Sequence, residues 1–536
     1  MIVSLSAAIG VTLFTVARLR RYLLFFQQDG YSGSRFFRWL KEKHAFDKRG
    51  SLVALLPLIG IFCLPLWLAS ILSVLCALAL WAISWSIESD PRTSGKVRLV
   101  MTQRASKIYS LALFISVLGA LLSISAVLAL GGDWEAWAAI IIWIQITPFT
   151  LPVANSILWP FEQELQARFK RDAEGILKDV HPFIIGITGS YGKTSTKAVL
   201  GDLLNQCVGP TFWPRGSINT VMGITRDIRE NLRPSHRFAI IEMGAYGIGS
   251  IKKLCDFTPP RAAIVTAVGL MHLDRFGGTE NIYRAKSELP QALPKDGILV
   301  CNGDNPGARR MGTEFRTGTV LFYGFDETKG LLDCRASELE FTPEGSRFTI
   351  DWRGKKYKVT TPLLGKPAVS NALAAFSLTC ALGGSPAFVA ASLSTIQPVK
   401  NRLSIEKAGG ATYLHDAFNS NPSGFEAALE VLKGMPVQRK ILVTPGMIEL
   451  GEKQESENEK VGEQAGSFLN LAIIVGATNR APLVRGLKKG GLEEKNVCVV
   501  DTRAEAFERL AALRASGDGI LIENDLPDLY EGDARF

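Results

Sequence analysis

Between Ser51 and Ile87 the chain runs 37 residues without a charged side chain. About 20 apolar residues suffice to cross a bilayer, so this run is long enough for two crossings, 51–68 and 70–87, turned near Pro65 to Ser70. Residues 2–18 open with "IVSLSAAIGVTLFTVA" ahead of the basic "RLRR". With further spans behind it and no small-residue cleavage site, that segment reads as an anchor and not as a removable leader. Apolar runs at 108–130 and 134–159 come next, the last with Trp residues near both ends as expected for interfacial anchoring. The expectation is an α-helical membrane module over 1–160 with about five spans. A re-entrant hairpin over 51–87 would leave three crossings and the same location for the rest of the chain.

The loops set the orientation. Arg20, Arg21, Arg35, Arg38, Lys41, Lys43, Lys48 and Arg49 crowd the first, and Arg92, Lys96, Arg98, Arg104 and Lys107 the segment 88–107, whereas "GGDWE" carries no cation. Basic loops stay inside, which puts the N-terminus outside and everything after Pro160 in the cytoplasm of a cell-membrane protein. The same count explains the net charge of +9: residues 1–180 hold 18 Lys and Arg against 12 Asp and Glu, a surplus of +6. The remainder is close to balanced, which argues against nucleic acid as a partner. Eight scattered cysteines without a Cys-x-x-Cys pair suit a reducing compartment, and form neither a disulfide framework nor a zinc site.

Residues 161–180, "FEQELQARFKRDAEGILKDV", place Phe161, Leu165, Phe169 and Ile176 or Leu177 on one helical face. This reads as an amphipathic linker at the membrane surface. Beyond it the pattern changes to α/β alternation. "PFIIGITGS" is a buried strand ending in a Gly-rich turn, and "KTSTKAVLGDLLN" opens a helix. Strand, Gly loop and helix in that order make a phosphate site. Backbone N–H groups of Gly189, Ser190, Tyr191, Gly192 and Lys193 are expected to face phosphate oxygens, with Ser195 beyond them. Lys193 is expected to reach the terminal phosphates, and the Thr194 hydroxyl to sit on Mg²⁺. "FAIIEMGA" is a second buried strand ending at Glu242; a third, "AAIVTAVGLMHLDRFGG", ends near His272; "YRAKSEL" puts Lys286 on the next helix. Carboxylate and histidine at the C-terminal ends of such strands are where ligands converge.

In order and spacing, "TGSYGKTSTK", "IIEMGA", "HLDRFGG", "AKSEL", "SNALAA" and "HDAFNSNPSG" resemble the Mur ligases, ATP-dependent enzymes that form amide bonds. Within that family the chain is most similar to the D-alanyl-D-alanine-adding branch of peptidoglycan synthesis. The resemblance covers about Pro182 to Val500. It implies a P-loop central ATP-binding domain over 181–397 and a Rossmann-like C-terminal domain over 398–536. It also implies that Thr194, Glu242, His272 and Lys286 hold Mg²⁺, with Lys193, Lys286 and His272 as the catalytic set and Lys286 carbamylated in many members. Asn371 matches an adenine-side contact, and Arg402 and Asp416 match nucleotide contacts of the C-terminal domain. Asn219, Asn419 and Asn421 fall on the substrate side. The implied reaction joins a carboxylate substrate to an amine substrate through an acyl phosphate, releasing ADP and phosphate.

Three departures from the family concern substrate. The soluble domain that receives a uridine-diphosphate sugar is replaced by the membrane module, so the carboxylate is expected lipid-linked or delivered at the inner leaflet. The usual His-Asn before the adenine-side asparagine reads Pro367-Ala368. Where the resembled branch has Lys-Gly-Ser, this chain reads "ILIENDLPDLYEG", leaving Asp525, Asp528 and Glu531 either as an ammonium-binding group or as a solvated acidic turn. The charge run at 446–465 reads as a solvated face, with Glu449 its functional candidate. Two other readings stand beside the ligase: a membrane-associated poly-γ-glutamate-synthase-like enzyme, and an ATP-driven transporter or sensor. Against the latter, the spans carry almost no ionisable residue to mark a pathway. Oligomeric state is not encoded in any of these motifs.

Overall fold

The computed structural model describes residues 2–524 apart from 43–44, 88–89, 93–97, 131, 133, 270–275, 316–317, 343, 400–401, 417–419 and 449. His272, Asn419, Glu449, Asp525, Asp528 and Glu531 lie outside the described residues. The chain divides into two compact units, Met1–Leu165 and Gln166–Leu526.

The first unit is helical: α1 (Ile2–Gln28), α2 (Gly33–Glu42), α3 (Lys48–Cys63), α4 (Leu66–Ala82), α5 (Gln103–Ala129), α6 (Ala136–Ile146) and α7 (Thr150–Val180), the last running on into the second unit. Four stretches, Val3–Gln28, Leu66–Trp85, Gln103–Ala129 and Ala136–Val180, are long and apolar enough to cross a membrane. The long uncharged run is broken where Leu64 turns extended and Pro65 withholds a backbone donor. Its first half therefore makes α3, of only 16 residues, short of the ~20 that a crossing needs. Polar side chains inside this unit meet one another. Ser6 Oγ and Ser73 Oγ lie 2.7 Å apart, and Trp137 Nε1 donates to Ser73 at 3.0 Å. Arg18 Nε meets Asp47 Oδ2 at 2.6 Å with both side chains fully buried, while Asp47 Oδ1 caps α3 by accepting from Gly50 N at 2.7 Å. Facing outward are large apolar groups, among them Phe62, Trp67, Phe114, Leu122 and Ile142.

The second unit carries two sheets. In the central one, β1 (Phe183–Thr188), β2 (Thr211–Phe212), β3 (Phe238–Glu242), β4 (Ala262–Val265), β5 (Ile298–Asn302), β6 (Thr319–Gly324), β7 (Cys334–Thr342), β8 (Gly345–Trp352) and β9 (Lys355–Thr361) lie in the order β2-β3-β1-β4-β5-β6-β7-β8-β9. Strands from β2 through β7 run parallel and the β7-β8-β9 edge is antiparallel. Near-continuous apolar strands such as "FIIGIT" and "AAIV" are what a sheet covered on both faces requires. Helices α8 (Lys193–Cys207), α9 (Val221–Asn231) and α10 (Ser250–Phe257) come after β1, β2 and β3. The end of α7 joins this core, with Ala173 buried and Ile176, Leu177 and Val180 packed against it.

The second sheet comprises β10 (Ser404–Ala408), β11 (Ala411–Asp416), β12 (Arg439–Thr444), β13 (Leu471–Val475), β14 (Val497–Val500) and β15 (Asp518–Glu523), ordered β10-β11-β15-β12-β13-β14. All pairs but β10-β11 are parallel, giving the Rossmann-like layer. The chain's last described strand is thus inserted between β11 and β12. Within the 446–465 charge run, the helix Gln454–Gly466 carries exposed ion pairs, with Glu455 and Glu459 on Arg485 and Glu463 on Lys489.

Candidate active site

The tips of β1, β3 and β4 meet around the Gly-rich loop. Gly189, at φ +155°, passes so close to β4's exit that a Cβ there would lie 1.9 Å from Thr266 Oγ1. Gly192 adopts φ +80°, and a Cβ on it would stand 2.5 Å from Asn371 Oδ1. Both positions demand glycine, one for space and one also for the left-handed turn. The loop is tied down from below. Ser190 N donates to Ala267 O at 2.7 Å, Gly269 N donates to Ser190 Oγ at 2.9 Å, and the Thr266 hydroxyl bonds the Tyr191 carbonyl. Ser190 N is therefore spent on the scaffold, which corrects the expectation that every N–H from Gly189 to Lys193 faces phosphate. The close approach of β4's exit turns it toward Ala267 instead.

At the N-terminus of α8, Lys193 Nζ lies back across the loop on Gly189 O at 2.7 Å. Burial lowers its pKa, against the opposing pull of the Glu242 charge. Thr194 Oγ1 donates to Glu242 Oε2 at 2.9 Å and stands 3.3 Å from Ser217 Oγ. Asn219 Nδ2 donates to Glu242 Oε1 at 3.1 Å, and Tyr246 OH donates to Asn219 Oδ1 at 2.8 Å. Thr194 and Asn219, expected respectively on the metal and on the substrate side, thereby meet on the one Glu242 carboxylate. The sequence reading missed Lys197. One helical turn after Lys193 and almost fully buried, its Nζ lies 3.1 Å from Glu242 Oε2 and donates to Gly216 O at 2.7 Å. The available signal was a second lysine four residues on in "KTSTK", on the helix face turned to the sheet.

Lys286 is buried on the helix Thr279–Gln291, and burial, then the Lys193 charge, push its pKa well below the ordinary lysine value. Among the described residues no group of three or more His, Cys, Asp or Glu converges as a metal cage. The oxygens of Thr194 and Glu242 on one point are nevertheless the hard donors that Mg²⁺ takes when phosphate oxygens and waters complete its shell.

Beside the loop is a cavity of about 300 Å³. Tyr191, Gly192, Ser195 and Asn371 line one wall, Asn302 at the end of β5 and Asp304 just after it another, and Arg402, Asp416 and Asn421 a third. Asn371 is held in place by Thr196 Oγ1, which donates to its Oδ1 at 3.1 Å. Pro367 and Ala368 also line this cavity, so the two departures from the family pattern lie on it directly. Asn421 spends its Oδ1 capping the helix Pro422–Gly434, accepting from Gly424 N at 3.0 Å. Arg402 is within Coulombic reach of both Glu242 and Asp416, which partly offset the lowering that burial imposes on it. Asp416 is pushed up to about 6 by burial, with Arg402 acting the other way. On the neighbouring strand Glu523 is fully buried, another residue the sequence reading did not single out.

Comparison with known proteins places these features in context. The family described as Mur ligase middle domain matches residues 187–379, and that described as Mur ligase, glutamate ligase domain matches 401–523. The UDP-N-acetylmuramoyl-tripeptide–D-alanyl-D-alanine ligase of Escherichia coli is 31% identical over 321 residues, spanning 60% of this chain and 70% of that protein. Its Mycobacterium tuberculosis counterpart is 33% identical over 348 residues, 63% of this chain and 66% of that one. Among solved structures, MurF from Acinetobacter baumannii superposes with a TM-score of 0.60 at 26% identity, covering 67% of this chain and 78% of that one. MurF from Thermotoga maritima in complex with ADP shares the fold at a TM-score of 0.59 and 24% identity, covering 67% and 80%.

Proposed function

The chain belongs to the Mur ligase family, and from that premise we propose that it is a membrane-embedded, ATP-dependent ligase joining a carboxylate to an amine through an acyl phosphate. The observation that carries this reading is the convergence of Lys193, Thr194 and Glu242 on one phosphate loop, beside a cavity walled by Asn371, Arg402 and Asp416. A carboxylate is unreactive toward amines at neutral pH. Its oxygen first attacks the γ-phosphorus of ATP, and ADP departs. The amine then attacks the acyl carbon and phosphate leaves, giving the amide. Each step crowds negative charge, so the protein's contribution is positioning and electrostatic stabilisation.

In this reading Lys193 swings from Gly189 O to the terminal phosphates, and the N–H groups at the start of α8 receive their oxygens. Thr194 and Glu242 would hold Mg²⁺, which when bound would supply positive charge against the phosphates, with His272 and Lys286 assigned to the same task by family resemblance. Lys286, whose pKa burial and the Lys193 charge lower well below the ordinary lysine value, is suited to take up CO₂ as a carbamate with loss of a proton. Arg402 and Asp416 hold the nucleotide from the C-terminal domain, Asn371 faces the adenine, and Asn219, Asn419 and Asn421 lie toward substrate. Four apolar stretches and the outward Phe, Trp and Leu side chains of the first unit support its insertion in the bilayer.

The test is isotope transfer. With ¹⁸O in the carboxylate, full-length protein in lipid nanodiscs should release phosphate carrying one ¹⁸O, the signature of an acyl phosphate. Suitable carboxylates are UDP-N-acetylmuramoyl-tripeptide and its lipid-linked counterpart. Amide formation with unlabelled phosphate would rule that intermediate out.

A further inference from the structure

At the outer edge of the central sheet, where β2, the loop after it and α9 come together, lies another cavity, of about 290 Å³. Phe212, Trp213, Arg215, Asp227, Asn231 and His236 line it, and it has no lining residue in common with the cavity beside the phosphate loop. Small-molecule sites begin at about 300 Å³, so one small metabolite fits. The two charges in it are opposite and do not meet. The Arg215 guanidinium lies 4.5 Å over the Trp213 ring and has no carboxylate within ion-pair distance among the described residues. Asp202 on α8 feels its charge only at longer range. The indole beneath it is set by α8, since a Cβ on Gly201 would stand 2.4 Å from its ring. Asp227 accepts from Asn231 Nδ2 at 2.8 Å on one oxygen, and it too lacks an ion-pair partner among the described residues. His236 Nδ1 accepts from Arg233 N at 2.9 Å, which leaves the proton on Nε2 and makes the ring a neutral donor.

A cation and an anion that share one small cavity without pairing are complementary to a ligand that carries both charges. A lone anion would meet Asp227, and a lone cation Arg215. The zwitterion of an α-amino acid answers both, its carboxylate on Arg215 and its ammonium at Asp227. The pocket also reaches the catalytic centre. Directly after Arg215, the Gly216 carbonyl accepts from Lys197 Nζ, and Ser217 Oγ lies 3.3 Å from Thr194 Oγ1. Asp227 is itself within Coulombic reach of Lys197, which pairs with Glu242 at 3.1 Å. We propose that this pocket binds a free α-amino acid as its zwitterion, between Arg215 and Asp227, and that its occupancy loosens the binding of Mg·ADP. An ammonium beside Asp227 cancels the pull of that carboxylate on Lys197. Lys197 then leans harder on Glu242, the carboxylate assigned to the metal. From the ligase reading the inference takes only the placement of Mg·ADP at Thr194 and Glu242.

The experiment titrates full-length protein in detergent, by calorimetry, with glycine, L-alanine, D-alanine, L-lysine and L-glutamate, and with the Nα-acetyl and α-carboxamide derivative of each. At least one amino acid should bind tenfold or more tighter than both of its derivatives, because each derivative lacks one of the two charges. Arg215 is exposed, so its substitution spares the fold. Arg215→Gln should weaken amino-acid binding tenfold or more and leave Mg·ADP affinity within twofold, and Arg215→Lys should keep part of the binding. A saturating amino acid should weaken Mg·ADP binding at least twofold in the wild type and not in Arg215→Gln. Asp227→Asn should show the weaker Mg·ADP affinity with no amino acid added. No amino acid preferred over its derivatives would overturn the pocket. Equal binding in Arg215→Gln would overturn it too, by placing the amino acid elsewhere, as in a ligase's amine site. Mg·ADP affinity unmoved by a bound amino acid would overturn the coupling. Amino-acid binding that depends on Arg215, without any carboxylate-dependent ADP release, would instead leave the pocket standing and sink the ligase reading.

Discussion

Lys197 Nζ and Glu242 Oε2 stand 3.1 Å apart, both side chains out of solvent, and Thr194 Oγ1 reaches the same carboxylate oxygen at 2.9 Å. The carboxylate proposed for metal binding is thus already neutralised by a lysine of the phosphate-loop helix. Removing one member of a buried pair strands the other charge, at about 3–5 kcal/mol. Lys197→Met is expected to lower the melting temperature by about 5 °C or more. Mg·ADP should restore part of the loss by giving Glu242 a new counter-charge. Thermal unfolding with and without Mg·ADP checks this, and an unchanged melting temperature contradicts it.

Among the described residues Lys193 hydrogen-bonds only its own loop, so its removal should spare the fold and strike the chemistry. Lys193→Ala is expected to cut ADP formation by about 10²–10³-fold or more. Its melting temperature should stay within a few degrees of wild type, as read by a coupled ADP assay alongside calorimetry.

Gly192→Ala places a methyl group 2.5 Å from Asn371 Oδ1 at a left-handed backbone position. The strain is about 1–2 kcal/mol, and the forced shift of Asn371 opens the cavity wall. ADP affinity, measured by titration calorimetry, should fall about tenfold for each 1.4 kcal/mol lost. Wild-type affinity in this variant would separate Asn371 from nucleotide binding.

Asp416 gives a pH signature. Its carboxyl is raised from 3.8 to about 6 by burial, so the folded state prefers it protonated. Its contribution therefore favours folding at low pH and is lost as pH rises from about 4 to about 6, the reverse of a salt-bridged aspartate. Nucleotide binding that needs the ionised form runs oppositely. ADP should bind progressively more weakly below pH 6, by at most tenfold per unit, and a flat profile between pH 5 and 7.5 would remove Asp416 from the nucleotide contacts.

Lys286→Arg keeps a long basic side chain but cannot form a carbamate. It should abolish the ¹³C signal that ¹³CO₂ gives in the wild type, and ADP formation with it. Loss of activity without any carbamate signal in the wild type would leave Lys286 with a different task.

The phosphate loop was legible because its determinants are local: an apolar strand, glycines at a fixed spacing, then a helix with Lys193 and Thr194 in its first turn. Glu242 was legible for the same reason, as the last residue of a strand read from "FAIIE". Lys197 and Glu523 escaped because their surroundings are set by tertiary contacts. The spacing in "KTSTK" puts the second lysine one helical turn after the first, but it does not show that its ammonium meets the carboxylate at the end of β3. Nothing in "ILIEND" shows that the last strand slots beside β11 to face Asp416. The break in the long apolar run was read near Pro65 to Ser70, and the structure turns there between α3 and α4, while the 16-residue length of α3 could not be read from composition.

The central claim is amide synthesis at the expense of ATP, and the most direct measurement is of products. Full-length protein in nanodiscs would be given ATP, Mg²⁺, UDP-N-acetylmuramoyl-tripeptide or its lipid-linked counterpart, and D-alanyl-D-alanine, with ADP, phosphate and amide quantified together. The account predicts that the three appear in equal amounts, and only when carboxylate and amine are both present. ATP hydrolysis indifferent to both, or coupled to movement of a solute across the membrane, would contradict it.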